Sequence, residues 1–207
     1  MRNLLAVSLI SLGGVLAQAQ AVEKRAQALA PGESAPLTDL KMKSTLGKEI
    51  SIASEAGKKG TLVVFSCIGC PFVRAWDSRM TVLGSEAKKL GLGVLFINSN
   101  NPGVSPGDSF EAMQGKAKEQ GYSFAFAVDP GSQVAGAFGA GRTPEVFLLD
   151  TKGKIVYHGA VDDNSKDADQ VEAHYLKDAI QALAQSKEIM TKETKSLGCG
   201  IKYPAVP

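Results

Sequence analysis

Two cysteines separated by two residues, Cys67 and Cys70, are the side chains of this chain best suited to chemistry. They follow the apolar run 61–65 and precede a stretch with helical periodicity that begins at Pro71. A thiolate at a helix N-terminus is stabilised by the helix dipole and by backbone N–H groups without an intrahelical partner. The motif therefore predicts a pair that can form a disulfide and a sulfur that is nucleophilic near neutral pH.

The sequence gives weaker support to other roles for this motif. Structural zinc needs four ligands, and Cys199, His158 and His174 do not form a second binding motif. A purely structural disulfide would close so short a loop that it constrains little of the unfolded chain. A copper carrier would need a soft sulfur site, usually with a histidine, for which His158 stays open. We therefore predict no metal and no cofactor, with copper transport as an alternative of another class.

A third cysteine, Cys199, lies near the C-terminus between two glycines. The glycines predict a flexible segment, which could bring the thiol to a mixed disulfide and resolve it by exchange. The alternative is an inert thiol that packs as a small hydrophobic side chain. An odd number of cysteines in an exported chain leaves one thiol without a disulfide partner, which favours the exchange role for Cys199.

The N-terminus has the features of a Sec-type signal peptide. Arg2 supplies a positive charge, residues 4–17 are uncharged and mostly apolar, and cleavage is predicted after Ala19 or Ala21. A membrane anchor is the alternative, but the apolar run is shorter than the roughly 20 residues that span a bilayer. We predict a periplasmic or secreted protein without a membrane anchor after cleavage, in a compartment where disulfides persist.

The length and composition predict one globular domain after the signal peptide at residues 1–21. We assign residues 22–31 to a flexible lead-in, 32–187 to the domain and 188–207 to a C-terminal tail that carries Cys199. The formal net charge is +2, and no basic cluster is interleaved with aromatic residues, so nucleic acid is not an expected partner.

The order of predicted elements is β-α-β-α-β-α-β-β-α, preceded by an N-terminal hairpin over residues 35–52. Apolar runs predict buried strands, and the helical stretches between the early ones imply parallel connections. The turn residues at 150–153 predict a late antiparallel hairpin, and the last helix is predicted over residues 170–186. Together they predict an α/β fold, a three-layer sandwich with a mixed central sheet.

A second short motif, Arg142-Thr143-Pro144, directly precedes a predicted strand. With a redox motif elsewhere in the chain, its position predicts a cis-proline loop that faces the two cysteines. Such a loop presents a backbone edge on which a substrate chain or a tail can pair. The alternative is a simple edge proline that opens a strand.

These motifs and their order resemble the thioredoxin fold. The chain more closely resembles the redoxin family related to alkyl hydroperoxide reductase and thiol-specific antioxidant proteins, in the branch that has a C-x-x-C-Pro motif and a C-terminal cysteine. The resemblance covers residues 32–202 and is carried by residues 65–71, 97–100, 142–150, 159–164 and 198–202.

The resemblance implies a role for each candidate residue. Cys67 would be the attacking thiol, more exposed and lower in pKa, and Cys70 the more buried, resolving thiol. Thr143 and Pro144 would form the cis-proline loop, and Arg142 lies near an arginine that stabilises the reactive thiolate of peroxiredoxins. A solvated loop arginine is the alternative for Arg142.

Two positions depart from the family patterns. Thr61 occupies the place where thioredoxins carry a buried acid, which leaves no standard proton relay to the second cysteine. The Pro-x-x-x-Thr/Ser-x-x-Cys motif of peroxiredoxins is missing before Cys67. We therefore predict an exported thiol–disulfide oxidoreductase that acts on protein disulfides or thiol redox partners. The alternative is a thiol-dependent peroxidase that acts on hydroperoxides, with Cys67 as the peroxidatic cysteine.

Overall fold

The structure is a computed structural model, and it describes residues 27–204. The predicted signal peptide, residues 1–21, and residues 22–26 of the lead-in lie outside this range. Within the lead-in, Leu29 is buried and its N–H donates to the carbonyl of Phe138. No helix within residues 27–204 is long and apolar enough to cross a membrane.

The described residues form nine strands and four α-helices. The strands are β1 (Met42–Lys43), β2 (Glu49–Ile50), β3 (Thr61–Phe65), β4 (Gly93–Asn98), β5 (Ala125–Val128), β6 (Arg142–Thr143), β7 (Glu145–Leu149), β8 (Ile155–Gly159) and β9 (Cys199–Gly200). The helices are α1 (Pro71–Lys89), α2 (Phe110–Glu119), α3 (Gln133–Phe138) and α4 (Tyr175–Ala184).

Five of the strands form a central mixed sheet with the order β5-β4-β3-β7-β8. Strands β3, β4 and β5 are parallel, because helices α1 and α2 connect them, and β7 and β8 are antiparallel to their neighbours. Strands β1 and β2 form a separate antiparallel hairpin. The predicted α/β class, mixed sheet and N-terminal hairpin are confirmed.

Side chains of β3 alternate between two hydrophobic clusters, as expected for a central strand covered on both faces. Leu62 and Val64 pack in the cluster that contains the buried face of α1 and α4. Val63 and Phe65 pack on the other face, with α3 and the β1–β2 hairpin. These two clusters make the predicted three layers.

Helix α1 is placed directly behind the cysteine motif. Cys70 is its N-cap residue, and Pro71 occupies the first turn, where a missing N–H leaves no helical hydrogen bond unmade. Trp76 and Met80 are each 1% exposed, which anchors the helix against the sheet. The start of the helix is therefore a fixed platform for Cys70.

Two predictions about the C-terminal region are wrong. Helix α4 begins at Tyr175 rather than near residue 170, because Val171 is extended and residues 168–170 form a separate 3-10 turn. The segment around Cys199 is not flexible, since β9 pairs antiparallel with β6 and Ile201 is buried. The tail thus returns to the domain and covers the end that carries the cysteine motif.

Candidate active site

Both cysteines of the motif are buried. Cys67 lies in the loop after β3, and Cys70 lies at the N-cap of α1 with an extended backbone. Cys67 is 2% exposed and Cys70 is 4% exposed. The prediction that Cys67 is the more exposed sulfur is therefore wrong, because the chain covers both.

Thr143 contacts both sulfurs from the opposite side. Its peptide bond with Pro144 is cis, as predicted, and Thr143 is 1% exposed. Its hydroxyl lies 3.1 Å from the Cys67 sulfur, and its carbonyl oxygen accepts from the Cys70 thiol at 3.0 Å. One residue of the cis-proline loop thus positions both members of the motif.

Cys199 brings a third sulfur to the same place. Strand β9 aligns Cys199 with Thr143, and the Cys199 sulfur lies 2.8 Å from the sulfur of Cys70. All three cysteines are free thiols, and Cys199 is the only partly exposed one among them. The structure therefore places Cys199 beside Cys70, whereas the sequence did not predict which cysteine Cys199 would contact.

The two motif thiols share one hydrogen bond, which is the largest influence on the pKa of each. This bond lowers the pKa of Cys70 to about 4 and raises the pKa of Cys67, to which burial adds. The pair therefore loses its first proton at a lower pH than a free cysteine, and its second proton at a higher pH. The lowered pKa falls on Cys70, whereas the sequence predicted it for Cys67.

The contacts with Thr143 oppose the effect of the hydrogen bond between the two thiols on their pKa values. A hydroxyl can donate to a thiolate, so the Thr143 side chain favours negative charge on Cys67. A carbonyl oxygen only accepts, so the Thr143 carbonyl favours a proton on Cys70. The first negative charge nevertheless lies on Cys70, and the Thr143 hydroxyl is the contact that stabilises a thiolate on Cys67 once Cys67 ionises.

Burial and the neighbouring thiol of Cys70 raise the pKa of Cys199. Cys199 is therefore protonated near neutral pH and is a weaker nucleophile there than the pair. Its position supports exchange with the pair more than independent attack on a partner.

Asp108 forms a hydrogen bond to the loop of the motif, a role that the sequence did not predict. It is buried, and its carboxylate accepts from the backbone N–H of Ile68 at 2.7 Å. It also accepts from three side chains, those of Asn98, Asn100 and Ser105. Its neighbour Ser109 is the N-cap of α2.

A buried ion pair lies on the other side of the loop. The Lys116 ammonium is 2.7 Å from the Asp77 carboxylate and donates to the backbone carbonyl of Cys67 at 3.3 Å. The hydroxyl of Tyr122 donates to the second oxygen of Asp77 at 2.9 Å. Thr61, at the position of the expected acid, is uncharged, and the buried charges near the motif are on these other residues.

Glu145 fixes the cis-proline loop from the start of β7. One of its oxygens accepts from the backbone N–H groups of Gly141 and Arg142, and the other lies 2.8 Å from Nε2 of His158. His158 is buried, at 7% exposed. The Arg142 side chain donates to the carbonyl of Gly198, which places it on the tail. Within residues 27–204, no three His, Cys, Asp or Glu side chains are grouped to hold a metal ion.

A mixed sheet with a cysteine pair after its central strand and a cis-proline loop against both sulfurs defines a thiol redox protein of the thioredoxin fold. A family model described as Redoxin matches residues 30–174, so the chain belongs to the redoxin family. The matched range contains both motif cysteines and the cis-proline loop, and it ends before α4 and Cys199.

Individual relatives agree with this assignment. The thiol-disulfide oxidoreductase ResA of Bacillus thuringiensis is 27% identical over 128 residues, which cover 60% of this chain and 66% of the relative. The chain thus spans slightly less than two thirds of that relative. A hypothetical protein of Sinorhizobium meliloti, SMc02350, has a solved structure that is 29% identical, with a TM-score of 0.79 over 88% of this chain and 100% of the other.

A more distant solved structure shows the fold alone. A putative thiol:disulfide interchange protein DsbE of Chlorobium tepidum is 21% identical, with a TM-score of 0.58 over 76% of this chain and 99% of the other. Thioredoxin-fold relatives that include a thiol-disulfide oxidoreductase support a redox enzyme in general terms.

Proposed function

We propose that this protein is an exported thiol–disulfide oxidoreductase that acts through Cys67 and Cys70, with Cys199 as an additional exchange partner. The observation that carries the proposal is the contact of Thr143 with both motif sulfurs. A side-chain hydroxyl faces one sulfur and a backbone carbonyl faces the other. The hydroxyl can stabilise a thiolate on Cys67 when Cys67 attacks, and the carbonyl can accept from Cys70 while Cys70 is a thiol. Export rests on the predicted signal peptide at residues 1–21.

In the proposed reaction, the Cys67 thiolate attacks one sulfur of a substrate disulfide. This forms a mixed disulfide and releases the first substrate thiolate, which takes up a proton. Cys70 then loses its proton and attacks the Cys67 sulfur, which forms the Cys67–Cys70 disulfide and releases the second substrate thiol. The substrate is reduced by two electrons, and the protein pair is oxidised by two.

Cys199 adds a second internal exchange. Its sulfur lies 2.8 Å from that of Cys70, so we propose that Cys70 is the sulfur it attacks. When Cys67 and Cys70 form a disulfide, attack by a Cys199 thiolate on Cys70 forms a Cys70–Cys199 disulfide and releases the Cys67 thiolate. No electrons leave the protein in this step, and the disulfide moves by one sulfur.

Single-turnover reduction of a small disulfide, with serine variants of each cysteine, tests the proposal. Cys67→Ser is expected to abolish thiol release, and Cys70→Ser is expected to trap a mixed disulfide on Cys67. Cys199→Ser is the control that retains the motif pair, and thiol release is expected to persist. Disulfide reduction that survives Cys67→Ser would show that the proposed role is wrong.

Mass mapping of the protein isolated without reductant tests the pairing. We expect the Cys70–Cys199 disulfide besides Cys67–Cys70, and a Cys67–Cys199 disulfide would contradict the proposed geometry. The peroxidase alternative makes a different prediction, because it needs consumption of hydrogen peroxide by the reduced protein through a sulfenic acid on Cys67. Arg142 donates to the carbonyl of Gly198 in the tail, so its observed contact does not support the peroxidase alternative.

A further inference from the structure

The backbone edge beside the cis-proline is occupied by the C-terminal segment of the same chain. We call residues 198–202 the docked tail. Strand β9 of the docked tail pairs with β6 in the register Arg142 to Gly200 and Thr143 to Cys199. The backbone N–H of Ile201 donates to the carbonyl of Gly141, which extends the pairing by one residue. Strand β6 has two residues, so the docked tail uses its whole edge.

The docked tail fits this edge closely. A Cβ atom at Gly198 would lie 2.3 Å from the carbonyl oxygen of Thr143, a distance that real Cβ atoms do not adopt. The Arg142 guanidinium donates to the carbonyl of Gly198 at 3.0 Å, which holds the glycine in place. The space beside Gly200 is open, because a Cβ at this position would have its nearest neighbour, the carbonyl oxygen of Gly141, at 4.0 Å.

Hydrogen bonds connect the docked tail to the loop of the cysteine motif. The backbone N–H of Lys202 donates to the Asn100 side chain at 2.8 Å, and the amide of Asn100 donates to Asp108 at 2.9 Å. Asp108 accepts from the N–H of Ile68, between the two cysteines. The segment that covers the edge is therefore linked to the loop that carries Cys67.

We propose that the docked tail stands in for the extended chain of a protein substrate, and that it must leave before such a chain can bind. An extended peptide binds a sheet edge through its backbone, and a cysteine aligned with Thr143 would face the motif sulfurs as Cys199 does. The docked form therefore discriminates against protein disulfides and favours small disulfides, which need no strand pairing. This inference rests on the proposed oxidoreductase function.

Two alanine substitutions in the full-length chain provide a matched test. Gly198→Ala forces the tail away from Thr143, whereas Gly200→Ala places the same methyl group in open space. Each reduced protein is mixed with insulin, a protein disulfide, or with dithiobis-nitrobenzoate, a small disulfide, and the second-order rate constants are measured. Binding of a chain scales with the fraction of molecules whose edge is free, so Gly198→Ala is expected to raise the insulin-to-small-disulfide ratio about tenfold or more. Gly200→Ala is expected to leave the ratio at the wild-type value.

Hydrogen exchange of the peptide that contains Ile201 reports whether the tail has left. Faster exchange in Gly198→Ala with an unchanged rate ratio would overturn the proposal. Exchange as slow as in the wild type would also count against it, because the close fit at Gly198 is its premise. If Gly198→Ala does not fold, Arg142→Ala replaces it in the test, because this substitution removes the hydrogen bond to the Gly198 carbonyl. The same change in exchange rate and in rate ratio is then expected.

Cys199→Ser separates occupancy of the edge from the chemistry of the third thiol. It retains the backbone of the docked tail, so the insulin-to-small-disulfide ratio is expected to stay low. A rise in this ratio would show that the thiol, rather than the chain, excludes proteins. Failure of the oxidoreductase function has a different signature, namely no reduction of either substrate by any variant.

Discussion

Replacement of Thr143 by valine should raise the pH at which Cys67 loses its proton. Valine keeps the shape and the branching of threonine and removes only the hydroxyl that lies 3.1 Å from the Cys67 sulfur. The backbone carbonyl that faces Cys70 remains in place. The substitution therefore removes the stabilisation of a Cys67 thiolate without removing the contact to Cys70.

The size of this effect follows from the strength and burial of one hydrogen bond. A hydrogen bond to a charged group contributes about 1.5–3 kcal/mol. Thr143 is 1% exposed, so water does not readily replace its hydroxyl. Because one pKa unit corresponds to about 1.4 kcal/mol, loss of this bond should raise the pKa of Cys67 by about 1–2 units.

Ultraviolet thiolate absorbance of the reduced protein as a function of pH measures this shift directly. Cys70→Ser combined with Cys199→Ser serves as the background, so that only Cys67 titrates. Thr143→Ser is the matched control, because it keeps the hydroxyl and loses a methyl group. The reasoning is refuted if the valine and serine variants give the same midpoint.

Two further substitutions test the groups that hold the loop of the motif. Asp108→Asn should lower the free energy of unfolding in urea by about 1–3 kcal/mol, because an amide donor then faces groups that all donate to this position. An unchanged urea midpoint would show that the network does not need the carboxylate. Lys116→Met should cost about 3–5 kcal/mol, because it leaves the Asp77 charge buried without its partner. The double variant with Asp77→Asn should recover part of this loss, and strictly additive losses would contradict a direct ion pair.

The sequence is sufficient for the fold because its strands are strongly patterned. The continuous apolar runs of β3 and β4 are local signals that tertiary packing preserves. The start of α4 could not be predicted in the same way. Residues 168–174 have no apolar periodicity that separates a helix from an extended approach, and the boundary depends on the extended backbone of Val171.

The site could be predicted only where chemistry has a local signature. Cys67, Cys70 and Thr143 belong to short motifs with recognisable neighbours. Asp108 and Lys116 have no such signature, since a charged residue in a polar loop or on a helix is ordinarily solvated. Their burial follows from the packing of α2 and the preceding loop against the motif. The tail was predicted to be flexible from its glycines, whereas Gly198 serves a close backbone approach.

The position of the disulfide depends on Thr143, the same residue that stabilises the Cys67 thiolate. The hydrogen bond to Cys70 is the largest cause of the raised pKa of Cys67, and it is lost once the Cys70 sulfur belongs to a Cys70–Cys199 disulfide. The hydroxyl of Thr143 then remains to stabilise the released Cys67 thiolate. Exchange favours the disulfide that leaves the more stable thiolate free, so this hydroxyl favours Cys70–Cys199 over Cys67–Cys70. Thr143→Val should therefore return the mapped disulfide towards Cys67–Cys70, because the same hydroxyl acts on both equilibria.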